Sequence, residues 1–306
     1  MNRKPFFSVI IPTFNRVEKL KKTIQSVLNQ TFYDFELLVM DDGSIDQTQV
    51  MVDSFGDSRI HYEWAVNSGG PATPRNRGID KARAEWVCFL DADDLWYPTK
   101  LDMVVQAISE NHDVDVFCHN EIMLVRDTGR KKLLSYGPFE DNFYQAMLTG
   151  GNRLSTSACT VRREFLNSFD LRFNQSKDYV ILEDYDLWLR IALNGGRFYF
   201  INRPLGEYII ENDNISSNID CFRHNRNVLL RDHVFQIQSF EPNKEKQWRQ
   251  IGVFLAVQDA KALFSHGCFS EGMKILISAL AKSPEGGVKY IVSHMRKRIR
   301  KTRLAL

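Results

Sequence analysis

No apolar run in this 306-residue chain approaches the ~18 residues of a membrane-spanning helix, so a helical membrane span is excluded. Cysteine is scarce: five residues (Cys88, Cys118, Cys159, Cys221 and Cys268) lie far apart, odd in number and without paired spacing. That excludes a disulfide framework and a cysteine-built zinc site, and most of these thiols are expected to be small buried apolar groups. No Gly-x-x-x-x-Gly-Lys occurs, and no Gly-x-Gly-x-x-Gly follows the first apolar segment, so no glycine-rich loop cradles phosphate. Residues 6–11 are too short for a secretory leader core, and no small-residue cleavage site follows. They read as a first strand, and free thiols with no export signal predict a cytoplasmic protein.

What is present is an ordinary globular composition, 43% hydrophobic and 25% charged. Its length calls for one large α/β domain with an appendage, or two domains. The net charge of +2 hides an asymmetry. Residues 289–306 hold seven cations (Lys289, Arg296, Lys297, Arg298, Arg300, Lys301 and Arg303) and no acid, leaving 33 basic against 38 acidic residues in the body. The tail mixes these cations with Ile, Val, Met and Leu, the pattern of a basic amphipathic helix that lies on an anionic membrane surface, or of a solvated charge run. No nucleic-acid recognition module accompanies it, so nucleic acid is not an expected partner.

Along the chain, apolar runs suited to buried strands (residues 7–11, 37–40 and 86–90) and a strand-like segment (59–64) alternate with segments of helical periodicity. Val17, Leu20, Ile24, Val27 and Leu28 share one helix face, with Glu18, Lys21 and Lys22 mostly on the other. Such alternation predicts a doubly wound α/β fold, a mainly parallel sheet with helices on both faces. Further helices are expected over residues 98–110, 142–148 and 183–193, and strands over 114–118, 198–201 and 207–210, with a hairpin around Thr128-Gly129. Beyond residue 217 strand signals fade. Residues 222–238, 244–264 and 270–280 read as a C-terminal helical extension whose last two helices form a hairpin.

Ligands of open parallel sheets bind beyond the carboxyl ends of the strands. Three polar clusters stand there: Thr13-Phe14-Asn15-Arg16, Asp41 to Ser44, and Asp91-Ala92-Asp93-Asp94. Their convergence predicts one shared site. Asp91 and Asp93, two positions apart, point to the same side if strand alternation persists. Hard carboxylate oxygens suit Mg²⁺ or Mn²⁺ bridging to phosphate, or else they cap the next turn. Arg75 and Arg77 are the nearest basic groups in pattern.

Taken together, Phe7-Ser-Val-Ile-Ile-Pro-Thr-Phe-Asn-Arg16, Val39-Met-Asp-Asp-Gly-Ser44, Arg75-Asn-Arg-Gly78, Leu90-Asp-Ala-Asp-Asp94 and Leu182-Glu-Asp-Tyr-Asp-Leu-Trp-Leu-Arg190 resemble, in order and spacing, family-2 glycosyltransferases of the GT-A fold. The likeness covers roughly the first two-thirds of the chain. It implies a GT-A domain over residues 1–217, with a nucleotide-sugar-binding half (1–110) and an acceptor-binding half (111–217), followed by the helical region 218–306. It further implies that Pro12, Thr13, Asn15, Arg16 and Ala92 line the nucleotide sugar, and that Asp42 or Asp41 accepts from a uracil ring. Arg75 approaches base or diphosphate, Asp91 contacts the ribose and phosphate region, and Asp93 binds Mn²⁺ or Mg²⁺. Asp184 is the implied general base of an inverting displacement. Trp188 belongs to the core or walls an acceptor pocket, and Asp94 caps the next helix.

Two departures stand out. Where the family often has a metal-binding His, Tyr208-Ile-Ile-Glu211-Asn-Asp-Asn214-Ile-Ser216 carries Glu211, a candidate metal ligand here. The Gln-x-x-Arg-Trp pattern of processive synthases is also absent, which favours transfer of a single sugar. By this resemblance the donor is a nucleotide sugar, UDP-linked by default. The acceptor is a saccharide or an undecaprenyl-linked saccharide of cell-surface polysaccharide or lipopolysaccharide synthesis. A nucleotidyltransferase and a non-catalytic sugar-nucleotide-binding protein are the rival readings. Donor and acceptor choice is expected to lie around Asn120, residues 150–157 and residues 179–182, where the sequence shows no code.

Overall fold

The computed structural model describes residues 4–211, 219–265 and 267–288. The basic tail at 289–306 and most of the segment after Glu211 lie outside the described residues. The chain divides into two compact units: Met1–Phe139 with Arg153–Arg226, and Glu140–Asn152 with Asn227–Leu306. The sequence division at residue 217 thus falls nine residues before the first unit ends, and a short excursion before Arg153 joins the second unit.

The first unit is built on a nine-stranded sheet. Its strands are β1 (Phe7–Thr13), β2 (Phe35–Asp41), β3 (Ile60–Trp64), β4 (Trp86–Phe89), β5 (Leu95–Trp96), β6 (Val116–Val125), β7 (Arg130–Leu134), β8 (Cys159–Arg162) and β9 (Phe198–Ile210). They run in the order β3-β2-β1-β4-β8-β6-β9-β5, with β7 pairing to β6. β1 lies parallel to β2 and β4, β2 to β3 and β6 to β9, while the β8, β5 and β7 pairings are antiparallel. The mainly parallel, mixed sheet is the one expected. β5 and β8 were not, because two and four residues are too few for a periodic signal. β9 merges two anticipated strands through Pro204, tolerated where β9 shifts register against β6.

Packing follows the strand period of two. Val9 and Ile11 of β1 point to a core shared with Leu20, Ile24 and Val27 of α1 (Val17–Leu28) and Leu101 and Val104 of α4 (Lys100–Glu110). Each fully buried aliphatic side chain contributes ~1.5–3 kcal/mol. Ile10 points the other way, onto α3 (Ala72–Lys81), where a β-carbon on Gly78 would fall 2.5 Å from its side chain. Helices therefore cover both faces. α2 (Thr48–Asp53), α6 (Arg163–Ser168) and α7 (Glu183–Leu193) complete the described α-helices lying wholly in this unit. Trp188 of α7 is core: it is fully buried, its ring 6.4 Å from Phe89 and 6.5 Å from Phe173.

The second unit is helical. α5 (Phe143–Gly150) packs on α9 (Lys244–Ser265), tied by Gln247 Nε2 donating to Gln145 Oε1 at 2.7 Å. α9 pairs with α10 (Phe269–Lys282), where Phe264 fills the notch left by Gly272. This is the hairpin anticipated. α8 (Ile219–Asp232) bridges the boundary in sequence. All five cysteines are free, with Cys88, Cys118 and Cys159 buried, Cys221 half-buried and Cys268 exposed. No described helix is long and apolar enough to cross a membrane.

Candidate active site

A cavity of about 720 Å³ opens in the first unit at the carboxyl ends of β1, β2 and β4. Its lining combines Pro12, Thr13, Phe14 and Arg16 at the end of β1, Asp42 after β2, Asn67, Gly69, Gly70, Pro71, Pro74 and Arg75 before and in α3, and Asp91, Ala92 and Asp93 after β4. Tyr136, Leu154, Ser155 and Thr156 close the far side with Ile181, Glu183, Asp184, Tyr208 and Ile209. Residues of both sequence halves therefore meet in one cleft, of a size suited to a small-molecule ligand.

The strand ends are stitched together before any ligand arrives. Thr13 and Asp41 are register partners, and the Asp42 amide donates to the Thr13 carbonyl at 2.9 Å. Asn15, with a φ of 49°, receives the Ile45 amide on Oδ1 at 2.9 Å, and its own amide donates to Ser44 Oγ at 2.8 Å. Asn15 therefore fastens two loops and is not part of the lining. Asp41 is also beneath the surface: fully buried, it accepts from Tyr62 Oη and the Ser44 amide, both at 2.7 Å. Asp42 is the member of the pair that lines the cavity, its carboxylate held by the Ser68 hydroxyl at 2.8 Å and the Ser68 amide at 3.1 Å. The Thr13 hydroxyl has no protein partner although buried, the mark of a group that waits for a ligand.

Arg75 is the hub. Its guanidinium donates to Asp91 Oδ1 and to Glu183 Oε1, both at 2.6 Å, and rests 5.1 Å from the Phe173 ring centroid. Burial disfavours its charge, yet the Asp91 and Glu183 carboxylates prevail and hold its pKa above the ordinary value. Arg77, by contrast, points away and donates to the Asp41 carbonyl at 2.7 Å.

Asp93 pairs with Arg16. Burial and the neighbouring Asp91 charge push the Asp93 carboxyl up, with Arg16 and Lys19 pulling back. Two crowded carboxylates of hard oxygen are a chemically suitable set for Mg²⁺ or Mn²⁺, ions that keep waters and phosphate oxygens as their other ligands. Among the described residues no group of three or more His, Cys, Asp or Glu side chains is placed to hold a metal alone. The fit is therefore that of a partial set to be completed by ligand oxygens. Glu211 is not in the lining; Lys19 Nζ at 2.7 Å and Arg126 Nε at 2.5 Å share its carboxylate.

Asp94 does not cap a helix. Its fully buried carboxylate accepts from Ser157 Oγ at 2.6 Å and from the Ile209 amide at 2.9 Å, while the Asp91 amide donates to the same Ser157 oxygen at 3.1 Å. Asp94 thereby locks the β4 turn to the turn that precedes β8 and to β9.

The three acids opening α7 separate into distinct roles. Glu183 answers Arg75. Asp186 is buried and bonded to Arg190 one turn on, at 2.6 Å. Asp184 faces the cavity, with Thr156 Oγ1 at 3.1 Å and the Tyr185 amide at 2.6 Å. Burial, then the Glu183 charge, push the Asp184 carboxyl up to about 7 against the pull of Arg75. A carboxyl so tuned suits general-base work at neutral pH. Sequence reasoning missed Thr156, Ser157 and Tyr136 as individuals, since no local pattern marks them.

A cleft beyond the carboxyl ends of the strands, carrying paired carboxylates and an acid pushed up to about 7, stands where open α/β sheets bind their ligands. Residues 8–168 match the family described as glycosyl transferase family 2, more than half of the chain, and the protein belongs to that family and is a glycosyltransferase. Among curated relatives, the UDP-Glc:alpha-D-GlcNAc-diphosphoundecaprenol beta-1,3-glucosyltransferase WfgD of Escherichia coli is 31% identical over 217 residues, 69% of this chain and 79% of that protein. Among solved structures, S. aureus TarS 1-349 in complex with UDP-GlcNAc superimposes with a TM-score of 0.62 at 22% identity, covering 90% of this chain and 79% of that one. The mannosyltransferase PcManGT of Pyrobaculum calidifontis, in complex with GDP-Man and Mn²⁺, gives a TM-score of 0.58 at 17% identity, covering 96% and 81%. These structural likenesses are of fold, and the fold is the GT-A type.

Proposed function

We propose that the protein transfers a single sugar, with inversion, from a nucleotide sugar to a saccharide or undecaprenyl-linked saccharide in cell-surface polysaccharide synthesis. The observation that supports this reading is that Asp184, a carboxyl pushed up to about 7, lines the same cavity as Asp91, Asp93 and Arg75. In this reading the base and ribose sit against Pro12, Thr13 and Asp42, where the Thr13 hydroxyl lacks a partner. Arg75 keeps Asp91 oriented toward ribose and phosphate, and Arg16 and Asp93 flank the diphosphate. Mn²⁺ or Mg²⁺ held by Asp93 with Asp91 would supply Lewis-acid charge for the departing diphosphate. Asp184 takes the proton of the acceptor hydroxyl as that oxygen attacks the anomeric carbon from the opposite face. The bond to the diphosphate oxygen breaks with its electron pair, and configuration inverts. Glu211 is reserved as a third ligand only on exchange of its two ion pairs, so the metal role rests on the aspartates.

The UDP-glucose donor and lipid-diphosphate acceptor printed for WfgD and the UDP-GlcNAc bound to TarS support a UDP-linked donor. The Mn²⁺ of PcManGT supports a divalent cation. Incubating the protein with UDP-, dTDP- and GDP-hexoses and Mn²⁺, with and without lipid-linked acceptors, should release nucleotide only with a divalent ion. Release that persists in chelator rejects the metal assignment, and tight binding without turnover favours a non-catalytic role. The seven cations at 289–306 further suggest an anionic membrane surface beside the acceptor. Deleting residues 288–306 should abolish low-salt binding to anionic vesicles, and unchanged binding rejects that part.

A further inference from the structure

One corner of the cavity has no role in the reading above. Tyr136 lines the far side, and two adjacent residues of β6 hold it at both ends. Asn120 Oδ1 accepts from the Tyr136 amide at 3.0 Å, and Glu121 Oε2 accepts from the Tyr136 hydroxyl at 2.7 Å. Consecutive strand residues ordinarily face opposite sides. Here the β6–β9 register shifts on both sides of Asn120, an irregularity of the kind that re-aims side chains beside sites. Asn120 is itself held by donating to Asn202 Oδ1 at 3.0 Å. The next residue, Gly137, has a φ of 71° and lies against Phe200, where a β-carbon would fall 2.6 Å from the ring. Glu121 is 1% exposed, and its Oε1 has no hydrogen-bond partner.

We propose that Tyr136, held by the Glu121 carboxyl and the Asn120 amide, forms a sugar-hydroxyl subsite that sets substrate specificity in the cavity. This rests on the transferase reading. The chemistry follows from the direction of the hydrogen bond. Because the Tyr136 proton is given to Glu121, its oxygen presents lone pairs as an acceptor, and a pyranose hydroxyl is a matching donor. The Ser155 side chain, in the same wall, hydrogen-bonds Glu121 and Tyr136 and so belongs to the cluster that holds the phenol in place. A site built to hydrogen-bond one hydroxyl discriminates strongly against an analogue that lacks it. Tyr136 touches the sugar in this account, and Glu121 and Asn120 position it.

The test uses the full chain with Mn²⁺, UDP, a panel of UDP-, dTDP- and GDP-hexoses, and an N-acetylglucosaminyl diphosphate lipid as acceptor. Tyr136→Phe keeps the ring and removes the oxygen. It should leave UDP affinity unchanged and weaken one substrate by about five- to tenfold with little change in kcat. Donor affinity falls if the hydroxyl belongs to the transferred sugar, and acceptor KM rises if it belongs to the lipid-linked sugar. Glu121→Gln still offers Tyr136 an oxygen and should remain within about twofold of wild type, whereas Glu121→Leu should reproduce the Tyr136→Phe defect. The double variant should add nothing further, as expected of two groups acting as one. Wild-type values of both parameters in Tyr136→Phe, at an unchanged melting temperature, would overturn this assignment and leave the transferase reading intact. A wild-type protein that binds no member of the panel would overturn both.

Discussion

Replacing Arg75 by methionine removes the cation between Asp91 and Glu183 while roughly keeping its volume. The two carboxylates differ in what they lose. The Glu183 side chain is 6% exposed and that of Asp91 33%, so water screens the second and the burden falls on the first. Stripping the partner from a buried ion pair costs about 3–5 kcal/mol at a pH where the remaining charge persists. Urea denaturation followed by tryptophan fluorescence is a suitable assay, since Trp64, Trp86, Trp96 and Trp188 all belong to the first unit. Arg75→Met should lose about 3–5 kcal/mol at pH 8. Arg75→Met with Glu183→Gln should recover most of the loss at pH 8. No recovery in the double variant would show that Arg75 acts through packing on Phe173 rather than through charge.

Other consequences follow from single groups. Thr13→Val should leave thermal stability within about 1 kcal/mol, because the hydroxyl has no protein partner to lose, yet weaken UDP binding by about three- to tenfold in calorimetry. Gly78→Ala should destabilise the first unit by about 1–3 kcal/mol in urea, since the added methyl meets Ile10 at 2.5 Å. The pH profile of kcat/KM should carry an acidic limb near 7, falling below it as Asp184 gains its proton, and Asp184→Glu should move that limb.

Much of this was legible in the sequence because the first unit obeys local rules. β1, β2 and β4 are apolar runs that end at polar clusters, and a parallel sheet brings such ends to one edge whatever the details of packing. The Glu183-Asp184 pair was legible as acids at a helix start, but their division of labour was not: Glu183 answers an arginine 108 residues away. Asp94 read as a cap because its partners, Ser157 and Ile209, lie 63 and 115 residues distant. Tyr136 left no trace, since its placement depends on a register shift between β6 and β9 that no local pattern encodes. Glu211 marks the converse case: its position in a motif suggested a metal ligand, whereas Lys19 and Arg126 engage its carboxylate.

The central claim is that Asp184 moves the proton while the rest of the cavity holds the donor. Asp184→Asn preserves size and the Thr156 contact but removes the base. Measured with saturating donor, Mn²⁺ and acceptor, kcat should fall by ~10²–10⁴-fold while calorimetric affinity for the nucleotide sugar stays within about twofold of wild type. Transfer at wild-type rate, or loss of donor binding in step with activity, would contradict the account.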